Sequence, residues 1–83
     1  MKYFEFNEPH YALIRAKDKI IACETFETII ASGSFKFIEK TRNEALNLFL
    51  INEDAKGERD FSDMMMEFNE DKEAILLVDR GIL

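Results

Sequence analysis

Residues Ala74 to Val78, Ala-Ile-Leu-Leu-Val, form the longest unbroken apolar run in the sequence, with no polar side chain on either alternate face. A strand that is apolar on both sides is normally one shielded inside a sheet. Five residues are too few to cross a membrane and few for a buried helix, and Ile75 and Val78 are β-branched. The run is therefore expected to be an inner strand, with the other elements laid beside and over it.

The preceding chain supplies those elements. Lys2 to Phe6 alternates, Tyr3 and Glu5 against Phe4 and Phe6, as a strand does. Asn7-Glu8-Pro9 interrupts it, and His10 to Ala16 reads as a second strand, so an antiparallel hairpin is expected across a turn longer than two residues. Asp18 is placed to cap a helix over about Lys19 to Ala31, with Ala22, Cys23, Phe26, Ile29 and Ile30 on one stripe. Ser32-Gly33 would stop that helix. The β-branched residues around Ile20-Ile21 leave a hairpin turning at Lys17-Asp18-Lys19 as the alternative.

Ser34 to Lys40 alternates again and reads as a third strand. Thr41-Arg42-Asn43-Glu44 then forms a capping box, the most specific local signal in the chain. The helix it opens carries Ala45, Leu46, Leu48, Phe49 and Leu50 on a wide apolar face. After a polar loop from Glu53 to Arg59, Asp60 or Ser62 caps a further helix with Phe61, Met64, Met65 and Phe68 at i, i+3, i+4 and i+7. The order ββαβααβ predicts one α+β domain over residues 1–83: a two-layer sandwich of a mixed four-stranded sheet with helices mainly on one face.

Composition limits the functions open to such a chain. A lone cysteine, Cys23, can make no internal disulfide, and no segment approaches the roughly 20 apolar residues of a membrane span, so a cytoplasmic location is expected. The net charge is −6, and all of that excess falls between Glu53 and Glu73, where nine acids face Lys56, Arg59 and Lys72. A solvated helix face is the ordinary reading, and an acidic surface for a basic partner the sharper one. Glu58, Asp60, Asp63 and Met66 are the candidate contact residues. Binding to a phosphate backbone is disfavoured by the same balance.

Chemistry-bearing patterns are scarce. One histidine, His10, and one cysteine are too few for a zinc site, and the three glycines are isolated, so no phosphate loop exists. Neither catalytic residue nor cofactor is assigned. Asp79, after the apolar run, is worth checking: with Glu39 or Glu5 nearby it could hold magnesium, against the plainer role of a turn residue paired with Arg80. If the first strand is a sheet edge, its aromatics Tyr3, Phe4 and Phe6 would mediate pairing with a second copy, giving a homodimer.

The opening YFEFNEPHYALIRAKD, the TRNEAL helix start and the ending AILLVDRGIL resemble small uncharacterised proteins of Gram-positive bacteria and their phages or mobile elements. The resemblance covers most of the chain and transfers no functional residue. It implies an accessory factor rather than a metabolic enzyme. The expected function is a non-enzymatic protein-interaction module. The alternative is an acidic inhibitor that blocks a basic nucleic-acid-binding surface through residues 53–73.

Overall fold

The alternation in the first sixteen residues is realised as an antiparallel hairpin. In the computed structural model, which describes residues 1–56 and 60–79, β1 (Lys2–Glu8) pairs with β2 (Ala12–Ala16), from Lys2 opposite Ala16 to Phe6 opposite Ala12. The second strand starts two residues later than the alternation suggests, because Pro9, His10 and Tyr11 make the connection.

Asp18 caps the next element, its carboxylate accepting the Ile21 N–H at 3.0 Å. The segment is helical, which settles the helix-or-hairpin alternative. α1 (Lys19–Thr25) continues into a π-helical segment, Phe26–Ile30, closed by a bond from the Ala31 N–H to the Phe26 carbonyl at 3.0 Å. The wider π turn changes the angular step between residues. Ile29, counted on the apolar stripe, consequently faces solvent, while Ala22 and Phe26 are buried. The helix ends at Ala31, whose backbone is already extended, so Ser32-Gly33 is not the stop itself; Gly33, with φ +99°, turns the chain within the connection to the next strand.

β3 (Lys36–Lys40) leads to α2 (Arg42–Lys56) through the capping box. The Thr41 N–H donates to Glu44 Oε1 at 2.9 Å, and the Glu44 N–H donates to Thr41 Oγ1 at 3.1 Å. α3 (Phe61–Phe68) and β4 (Ala74–Val78) complete the chain.

The fold is α+β with the sheet order β3-β1-β2-β4, and three expectations are corrected by it. The Ala74–Val78 strand lies at an edge, not inside the sheet, and it is apolar on both faces because helices cover both. Every hydrogen-bonded pair is antiparallel, so the sheet is not mixed. β2 and β3, joined through α1, do run the same way, but β1 lies between them. That position also gives β1 a neighbour on each side, so Tyr3, Phe4 and Phe6 present no open edge to a second copy.

Strand periodicity sends successive side chains to opposite faces, and here both faces carry core. Tyr3, Leu13, Leu76 and Leu77 meet Ala45 and Phe49 of α2 and Met64 and Phe68 of α3. Phe4, Phe6, Ala12, Ile14 and Ala16 meet Ala22 and Phe26 on the other side. Leu76 and Leu77 share a face because the β2–β4 register shifts between them and Ile75. Helices thus pack on both faces rather than mainly on one. Each fully buried phenylalanine contributes about 2–3 kcal/mol by leaving water, and the rings stack as well, Phe6 on Phe26 at 4.4 Å and Tyr3 on Phe68 at 5.2 Å.

Candidate functional site

The end of the helical hairpin carries an apolar surface that the core does not use. α3 begins where Asp60 caps it, the Asp63 N–H donating to Asp60 Oδ1 at 2.9 Å. Counting from that cap, Phe61, Met64, Met65 and Phe68 share one stripe. Phe68 and Met64 reach the sheet and are buried, whereas Phe61, one turn outward, is 62% exposed. On α2, Ala45 and Phe49 are buried and Leu50 is half-buried, but Ile51 is 68% exposed. Leu50, Ile51, Phe61 and Met64 together line a cavity of about 320 Å³. That volume is at the small end for ligand sites, and the four side chains that line it offer no acid, base or nucleophile.

The carboxylates suspected of meeting a partner stand close to this surface in sequence, and two have structural work. Asp60 is the α3 cap. Asp63, exposed in the first turn of α3, places negative charge where the helix dipole favours it. Met66 is 71% exposed but is not among the residues lining the cavity. Glu58 lies outside the described residues, as does Arg80, the suggested partner of Asp79. The helical spacing puts Phe61 on the stripe of Met64 and Phe68, and nothing in the sequence singles out Ile51. Both are ordinary apolar residues in helices, and only the position of the helices over the sheet leaves them uncovered.

Asp79 has a different part. Its Oδ2 accepts the Tyr11 N–H at 2.7 Å, and its own N–H donates to the Tyr11 carbonyl at 3.1 Å. His10 Nδ1 stands 3.8 Å from the same carboxylate. The Tyr11 hydroxyl donates to Glu5 Oε2 at 2.9 Å, and Lys40 Nζ lies 3.4 Å from Glu5 Oε1. Burial pushes the Tyr11 phenol well above its ordinary pKa, with the Glu5 hydrogen bond and the Glu5 and Asp79 charges acting in the same direction. Glu39 pairs opposite Phe4, on the sheet face away from Glu5. Among the described residues no three His, Cys, Asp or Glu side chains are grouped to hold a metal ion. The two hydrogen bonds between Asp79 and Tyr11 tie the end of the Ala74–Val78 strand to the residue that precedes β2.

Cys23 is half-buried on α1, and burial raises its thiol pKa, which lowers its thiolate fraction. A second hollow, of about 330 Å³, lies at the other end of α3 beside Arg42, Asn69, Glu70 and Asp71. Arg42 is held there by Asn69 Oδ1 and by the Phe68 ring, 5.3 Å from its guanidinium carbon, and Glu70 is paired with Lys72 at 2.8 Å. No helix among the described residues is long and apolar enough to cross a membrane.

A protein-family model described as the YosH C-terminal domain matches residues 1–77. YosH is a Bacillus protein name, in keeping with the resemblance to small proteins of Gram-positive bacteria. No curated protein and no solved structure matches the chain.

Proposed function

The chain belongs to the YosH C-terminal domain family, and from that premise we propose that it is a non-enzymatic cytoplasmic binding module that docks a partner protein on the apolar end of its α2–α3 hairpin. The observation that supports this is the pairing of Ile51 and Phe61. They come from different helices, are each more than 60% exposed, and line one cavity with half-buried Leu50 and buried Met64. Large apolar side chains exposed together mark interaction surfaces far more often than those scattered singly.

A second reading is an acidic inhibitor of phage or mobile-element type, acting through residues 53–73 on a basic nucleic-acid-binding surface. The concentration of the whole −6 excess in that segment favours it. Several of the acids there have duties within the fold, however: Asp60 caps α3 and Glu70 pairs with Lys72. An anchor on apolar contacts, with charge setting orientation and approach rate, suits these residues better. A homodimer would form through a surface other than the β1 edge, since β1 has a strand on each side.

Affinity capture from an extract of the source organism tests the proposal. The wild-type chain is expected to retain a protein that Ile51→Ser and Phe61→Ser lose and Met66→Ser keeps. Identical captured sets for all four chains would refute docking at this surface. A captured nucleic-acid-binding protein released by salt yet indifferent to Ile51 and Phe61 would favour the inhibitor.

A further inference from the structure

Resting on the binding-module reading, we infer that the cavity between α2 and α3 takes one bulky apolar side chain from a partner segment whose neighbouring residues are Lys or Arg. The size of the cavity carries the first half of this inference. About 320 Å³ walled by Leu50, Ile51, Phe61 and Met64 accommodates a single leucine, methionine, phenylalanine or tryptophan side chain. Met64 forms part of the wall, and its unbranched thioether adapts to the shape of whatever enters. An anchor side chain in such a pocket dominates the energy of small interfaces.

Charge carries the second half. The cavity bridges α2 and α3, and the acidic segment starts at Glu53 in α2, includes all of α3 and ends at Glu73. Asp60 adjoins Phe61 in sequence, and Asp63 is one residue from Met64. A second copy of this chain would bring the same negative segment against itself, at −6 for each molecule, so self-association there is opposed. A cation next to the anchor meets complementary potential instead, and complementarity of that kind selects partners and speeds encounter.

The chain contains no tryptophan, so a tryptophan probe reports directly on burial. Acetyl-Lys-Lys-Trp-Lys-Lys-amide is titrated with the intact chain at low salt, alongside the twin peptide in which glutamates replace the lysines. Saturable blue-shifted emission is expected with the basic peptide. Binding should be at least tenfold weaker for Ile51→Ser and for Phe61→Ser, and for the acidic twin. Both substituted positions are exposed, so melting temperatures close to wild type are expected and show that the fold is intact. Unchanged affinity in both variants, or equal binding of the two peptides, overturns the inference. So does sedimentation showing a dimer that Ile51→Ser dissociates, since the pocket would then hold a second copy. A natural partner captured through Ile51 and Phe61 whose docking segment lacks Lys and Arg would sink this inference while leaving the binding-module reading intact.

Discussion

The Arg15 guanidinium, on the inner strand β2, donates to the Phe68 carbonyl oxygen at 2.9 Å and so closes the last turn of α3 from the sheet face that α3 covers. The same side chain reaches the Glu67 carbonyl at 3.2 Å and the Lys72 carbonyl at 2.5 Å, and it is 1% exposed. Helix C-termini leave carbonyls without partners and carry partial negative charge. α3 has no basic residue in its own last turn, and Arg15 supplies the cation. Arg15→Ala is expected to cost on the order of 3 kcal/mol, since charged hydrogen bonds are lost and buried carbonyls stranded. Arg15→Lys should recover only part of that, because a single ammonium lacks the forked donors. Urea denaturation midpoints, at unchanged slope, measure both.

Phe6 and Phe26 stack at 4.4 Å with planes 8° apart, and both are fully buried. They join β1 to the helix on the second face of the sheet. Phe6→Ala should destabilise by about 3–5 kcal/mol through lost burial and the cavity left behind. Phe6→Leu should be milder. Thermal melting separates the two.

The Thr41–Glu44 box makes a pH-dependent prediction. Hydrogen bonds from the Thr41 backbone N–H and hydroxyl hold the Glu44 carboxyl below its ordinary pKa. A carboxyl lowered in the folded state stabilises above its unfolded pKa and loses that contribution as pH falls through the folded one. Glu44→Gln is expected to flatten stability against pH over that acid window, leaving a smaller slope from Glu70, which Lys72 lowers in the same way. Thr41→Ala should cost about 1 kcal/mol at neutral pH.

Tyr11 titrates in the opposite sense. Its raised phenol pKa means that the folded state favours the neutral form. The stability it contributes is complete below the ordinary tyrosine range and is lost as pH rises through the raised value. Absorbance at 295 nm is expected to show a phenol that ionises only above that ordinary range. Tyr11→Phe should remove this component. Its survival in Tyr11→Phe would sink the assignment.

At Gly33, φ is +99° and an added Cβ would meet nothing within 4 Å. Gly33→Ala therefore should cost about 1 kcal/mol from local backbone conformation alone, with no clash against the rest of the fold. Gly33→Asn should cost less. Equal melting temperatures for all three chains would contradict this.

Local signals in the chain specify local structure where the physics is local. The Asp18 cap and the Thr41–Glu44 box each involve residues within a few positions of one another, and each forms as its spacing suggests. The β1–β2 hairpin is legible for the same reason. Ala74–Val78 shows where such reading fails. Its two apolar faces report that something covers each side, but an edge strand beneath helices on both faces looks the same as an inner strand.

The candidate surface was half legible. The excess of acid between Glu53 and Glu73 is a matter of counting, whereas the exposure of Ile51 and Phe61 depends on how α2 and α3 pack in the folded chain. Arg15 is the sharpest case. Its alternation marks it as a strand residue, but its three acceptors lie more than fifty positions away.

Outside residues 19–31, where helix and hairpin both fitted, the sequence by itself determined which segments are helix and strand, because caps, periodicity and turn residues act over one to four positions. Only the tertiary structure decided that β1 is central, that both sheet faces are covered, and which apolar side chains remain outside. Those outcomes follow from how elements far apart in the chain compete for the same buried area, which no single stretch encodes.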